Sequence, residues 1–113
     1  MAKDDFHVIA YRILAYLYLC MKEGEKPDCA YLNYGTDDFP IGQSYWYNIW
    51  DFLNEDGYVK NVSVVPILGK RNTIKLHEDV CITPRGIAYM QENSTMGRAK
   101  EFLKTLKEII PGI

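Results

Sequence analysis

The chain has no C-x-x-C pair, no Gly-rich phosphate loop and no nucleophile motif, and its two histidines, His7 and His77, stand without partners at metal-ligand spacing. Neither a zinc knuckle nor an enzyme is therefore expected, and the sequence assigns no cofactor, no metal and no catalytic residue. Asp37-Asp38 reads as turn chemistry rather than as an acid/base couple. The three cysteines, Cys20, Cys29 and Cys81, are odd in number and scattered, which argues against a disulfide framework and for a reducing cytoplasm. Long apolar runs are also missing. The best candidate, Val8 to Met21, is shorter than a membrane span, contains Arg12, and follows Asp4 and Asp5 rather than a basic region; it reads as a buried helix, not as a membrane or export segment. No internal repeat or low-complexity segment is present.

What the chain does have is apolar mass: 48% of its 113 residues are hydrophobic and 13% aromatic, enough for one domain, residues 1–113, with a core that needs no staples. Its net charge of −2 hides an asymmetry. Residues 1–57 carry four basic and ten acidic side chains, and residues 58–113 carry nine basic and five acidic ones, so the C-terminal half is the better candidate to face an anion.

Two junctions organise the middle of the chain. Val80, Cys81 and Ile82 alternate like a half-buried strand, Thr83 is a good N-cap, and Pro84 sits where its missing N–H costs nothing. Strand should pass into helix without a loop. Upstream, Leu53 to Val59 reads in the other direction, as a helix that stops at a left-handed Gly57 and enters a strand at Tyr58 and Val59. Between them lies one hairpin, with Gly69-Lys70-Arg71-Asn72 at its tip and Pro66 tolerated because a two-stranded sheet has only edges. Helix, hairpin, helix is the outline of a winged helix-turn-helix: an α+β, mostly α fold with a two-stranded wing.

The first helix, from a cap at Asp4 or Asp5 to Gly24, is apolar on both sides: Ile9, Ile13, Tyr16, Leu17 and Cys20 on one, Val8, Tyr11, Leu14, Tyr18 and Met21 on the other. Either another part of the same chain or a second subunit is expected to cover the second side. Pro27 or Asp28 can start a short helix through about Asn33, followed by a loop in which Phe39 and Ile41 plug the core. The next helix, Gln43 to about Asp56, holds the recognition position, with Trp46, Ile49, Trp50 and Leu53 on its core face and Tyr45, Tyr47, Asn48, Asp51, Asn54 and Glu55 facing outward. A last amphipathic helix, about 95–110, pairs an apolar stripe (Ala99, Leu103, Leu106, Ile110) with Lys100, Lys104 and Lys107; it is either an appendage or a dimerisation element.

Trp46, Phe52-Leu53, Gly57-Tyr58-Val59, Ile82-Thr83, Gly86, Tyr89 and Glu92 to Met96, followed by the Lys-rich helix, together resemble the YjcQ-like family of small bacterial and prophage proteins. The resemblance is strongest from Tyr45 to Ile110. It implies a winged-helix fold and a bacterial or phage origin in the cytoplasm, and it brings no catalytic or binding residue with it.

Two functions remain open, and the sequence favours the first over the second. A regulator of double-stranded DNA would read base edges with Gln43, Ser44, Tyr45, Tyr47 and Asn48 and touch the backbone with Lys60, Lys70, Arg71 and Lys75 of the wing, acting as a homodimer through its first and last helices. Against it, residues 43–56 contain no Lys or Arg while Asp51, Glu55 and Asp56 are acidic, although phosphate neutralisation usually supplies much of the affinity. The alternative is a protein-interaction winged helix, a phage adaptor or modulator of a host regulator, which presents the same Tyr-rich face to a protein.

Overall fold

Asp5 opens the first helix, α1 (Phe6–Glu23), which closes at Gly24 in the left-handed conformation with backbone bonds back to Cys20 and Met21. The computed structural model describes residues 5–69 and 72–92. α1 is followed by α2 (Gln43–Glu55), β1 (Val59–Val65), β2 (Thr73–Ile82) and α3 (Pro84–Glu92). The strands form a two-stranded antiparallel sheet. This is a mostly-α α+β, winged-helix-like fold.

Both sides of α1 are covered by the chain itself. Ile9, Ile13, Tyr16, Leu17 and Cys20 are buried, and so are Tyr11 and Leu14 on the opposite side, while Val8 and Tyr18 are half-buried and Met21 is exposed. Of the two expected covers, the same chain accounts for most of this face. The core continues through Trp46, Ile49, Trp50 and Leu53 of α2, Val59, Ile74, Val80 and Ile82 of the sheet and Met90 of α3, as the helical and strand spacings require.

The short helix expected from Pro27 or Asp28 to Asn33 does not form. Separate turns replace it, closed by Tyr31 N–H to the Asp28 carbonyl at 3.1 Å and Asn33 N–H to the Ala30 carbonyl at 3.3 Å. A seven-residue helix gains too few internal bonds to offset nucleation, and tertiary anchors decide instead. Asp28 N–H donates to the Tyr16 hydroxyl at 2.8 Å, Leu32 is fully buried, and its carbonyl accepts Trp46 Nε1–H at 2.9 Å. Phe39 is pinned in the core by a loop in which Arg12 donates to the Asp38 carbonyl at 2.7 Å.

Thr83 joins the two junctions. Its N–H donates to the Tyr58 carbonyl at 3.0 Å, its hydroxyl donates to the Gly57 carbonyl, and the same hydroxyl oxygen accepts the Gly86 N–H at 3.1 Å as the N-cap of α3. Gly57 has φ 76°, and Tyr58 N–H returns to the Leu53 carbonyl at 2.9 Å, so α2 ends through a left-handed residue that Gly supplies without strain. Gly86 is required for a different reason: a Cβ there would lie 2.2 Å from the Tyr58 carbonyl oxygen.

The wing is not a regular ladder. Val59 pairs with Ile82 and Lys60 with Cys81, but Val62 pairs with Leu76, so β2 carries three more residues than β1 across this break. Asn61 absorbs the mismatch at φ 65°, and its side-chain amide donates to the Asp79 carbonyl at 2.9 Å. Asn is among the few residues that enter the left-handed region at low cost.

Candidate interaction surface

With Trp46, Ile49, Trp50 and Leu53 turned inward, helical geometry places Ser44, Asn48, Asp51 and Glu55 along the opposite side of α2. Gln43, Ser44 and Asn48 are exposed as expected, whereas Tyr45 and Tyr47 are half-buried on opposite flanks of that strip. The strip therefore offers only part of each tyrosine side chain. No cation lies on α2, and the acids Asp51, Glu55 and Asp56 gather toward its C-terminal end.

Phe52 was not among the expected contact residues, and it is the most prominent apolar group on this face. It is 51% exposed, one turn from Asn48, and its ring meets Phe6 of α1 edge-on with centroids 6.0 Å apart. Its sequence signal is position: Phe52 falls outside the arc that Trp46, Ile49, Trp50 and Leu53 define. Beyond Phe6, His7 bonds to the Tyr89 hydroxyl, and Tyr89 stacks on Tyr58 at 4.7 Å with Arg85 over the far ring. These contacts brace α1 and α3 beside the exposed phenyl.

The wing has the opposite character. Lys60 and Lys75 are exposed, Lys60 opposite Cys81 and Lys75 opposite Ser63. Lys70 and Arg71 of the tip, like Lys100, Lys104, Lys107 and the expected helix 95–110, lie outside the described residues. From Tyr58 to His77 the sequence has four cations and no acid, while the rest of the chain has nine cations and fifteen acids. Of the large apolar side chains exposed among the described residues, Val64, Ile67 and Leu68 are all at this end of the hairpin, and Leu68 is fully exposed.

The bulge holds the polar cluster of the fold. His77 Nε2 and the Ser63 hydroxyl are 2.7 Å apart, the Cys29 thiol donates to the His77 carbonyl at 3.8 Å, and Lys26 pairs with Glu78 at 3.7 Å. Burial pushes the Cys29 thiol up from its ordinary pKa, reinforced by Asp28 and Glu78, which keeps it a thiol rather than a reactive thiolate. The cluster ties the turn before α2 to the wing. Among the described residues no group of three His, Cys, Asp or Glu side chains is placed to hold a metal ion, and no helix is long and apolar enough to cross a membrane.

Two surfaces thus emerge: an acidic face on α2 with an exposed phenyl, and a cationic wing with an apolar end. Gln43, Ser44, Tyr45, Tyr47 and Asn48 share α2 with acids, and Lys60 and Lys75 belong to the wing. Residues 11–109 match a family model described as YjcQ protein. Neither the curated proteins nor the solved structures compared with the chain include a match.

Proposed function

The chain belongs to the YjcQ protein family, and from that premise we propose that it is a winged-helix protein-interaction module that docks a partner on the outward face of α2. One observation carries the reading: where a DNA-reading helix would present cations, α2 presents Asp51, Glu55 and Asp56 around a half-exposed Phe52. An aromatic anchor in a polar rim is the usual anatomy of a protein interface. The free state of Cys20, Cys29 and Cys81 suits work in the cytoplasm, as an adaptor or modulator of a bacterial or phage regulator.

A photo-crosslinker placed at exposed Asn48 tests this. It should capture a protein in the bacterial host, with capture competed by unlabelled chain and abolished by Phe52→Ala, while the same probe at Glu25, also exposed, should not. Equal capture from both positions would sink the reading.

DNA binding is kept as a second reading because Lys60 and Lys75 are exposed on the wing. Phosphate contacts from all four wing cations, Lys60, Lys70, Arg71 and Lys75, would give a salt slope of roughly −3.6 in log affinity against log salt. It requires binding to duplex DNA at low salt that Lys70→Glu with Arg71→Glu weakens on every sequence. Dimerisation through the first and last helices belongs to that reading.

A further inference from the structure

The two surfaces described above complement each other, and we propose that the partner of the α2 face is the wing of a second copy of the chain. This rests on the reading of α2 as a protein-docking face. The wing joins exposed apolar groups, Ile67 and Leu68, to exposed Lys75 and Lys60; the α2 face joins exposed Phe52 to Glu55, Asp56 and Asp51. Apolar group meets apolar group and cation meets acid on both sides of such a contact. The segregation extends beyond these side chains, since the stretch Tyr58–His77 holds no acid at all and the remainder of the chain has a marked acidic excess.

Connectivity suits reciprocal exchange. β1 begins four residues after the last residue of α2 and extends for seven residues, about 20 Å at the usual rise per residue. The wing therefore starts beside the acidic end of α2, and although its outer ladder rests on the body through buried Ile74, it leaves Lys75, Ile67 and Leu68 exposed. A two-fold axis between two copies can then lay each wing along the other's α2, giving an isologous contact with two equivalent arms. The copies carry a net charge of only −2 each, so long-range repulsion does not oppose the approach.

Sedimentation velocity on the full chain between micromolar and millimolar concentration reads the outcome. In low salt the mass should rise from 13.1 kDa toward twice that value, and about 0.5 M salt should return it to monomer because the pairs are exposed. Leu68→Ser, Lys75→Glu and Glu55→Lys should each weaken association ten-fold or more; all three sites are exposed, and circular dichroism verifies that each variant remains folded. Lys75→Glu mixed with Glu55→Lys should form a heterodimer, because one arm regains a Glu/Lys pair with its signs exchanged and the other arm is wild-type. A wild-type chain that stays monomeric overturns the proposal, as does a dimer that the variants leave untouched or a mixture that fails to associate. The Asn48 crosslink separates this failure from failure of the docking reading: a heterologous adduct from a monomeric chain rejects self-recognition alone, and no adduct with no dimer rejects both.

Discussion

Replacing Gly86 by Ala sets two effects of opposite sign against each other. In a helix interior Ala is favoured over Gly by about 1 kcal/mol, so a first-turn Gly in α3 would ordinarily be improved by the change. Here the added Cβ would stand 2.2 Å from the Tyr58 carbonyl oxygen and 2.8 Å from Ile82 Cγ1. The oxygen is backbone, and it accepts the Thr83 N–H at 3.0 Å while Tyr58 N–H is tied to Leu53 at 2.9 Å, so it cannot swing aside as a side-chain tip would. Overpacking of this kind costs about 1–3 kcal/mol, and loosening the Thr83 bond adds about 1 kcal/mol. Net of the propensity gain, Gly86→Ala should lose about 2 kcal/mol. The midpoint of thermal unfolding should fall by roughly 10 °C, at the several degrees per kcal/mol expected for a chain of this size. Urea titration followed by fluorescence of the buried Trp46 and Trp50 measures the loss. A variant as stable as the parent, or more stable, would refute the close approach of α3 to Tyr58, because propensity would then have won unopposed.

Tyr16, with its pKa pushed up to about 12 by burial, holds its proton more tightly folded than unfolded; the stability this gives is complete below pH 10 and disappears as pH rises from 10 toward 12. The loss is on the order of 2–3 kcal/mol. Tyr31 is raised by burial too, with Asp38 adding to it, so alkaline titration of unfolding should show a fall in this window that Tyr16→Phe partly flattens; a flat profile in the parent would contradict the burial. At the bulge, Asn61→Gly keeps the φ of 65° but loses the amide bond to the Asp79 carbonyl, a loss of about 1 kcal/mol. Asn61→Val adds about 1–2 kcal/mol for a left-handed non-Gly residue, and equal stability of the two variants in urea would remove the conformational argument.

Local chemistry was readable wherever it coincided with the fold. Thr83-Pro84 and Gly57 announced their junctions because a cap, a ring without N–H and a left-handed residue each have one natural place in a chain. Trp46, Ile49, Trp50 and Leu53 announced the buried face of α2 by spacing alone. The turns at 28–33 were misread as a helix because Pro27 and Asp28 are good starters, while the deciding partners, the Tyr16 hydroxyl and the Trp46 indole, come from distant parts of the chain. The three surplus residues of β2 were invisible for a similar reason: alternation along one strand says nothing of its partner's register. Phe52 was overlooked because an outward Phe beside an apolar arc looks like the arc's edge until neighbouring elements show what they leave uncovered.

The break at Asn61 divides the wing into two ladders in series. The inner one, Val59–Lys60 with Cys81–Ile82, is fastened to the core through buried Val59 and Ile82, while the outer one, Val62–Val65 with Thr73–Leu76, has Ile74 as its one buried side chain. Protection against hydrogen exchange should follow this division, with the outer amides exchanging by local opening and the inner ones only with the body. The end of the hairpin is in this sense a separately adjustable part. Its ladder can open while the Thr83 junction and the helices behind it stay closed.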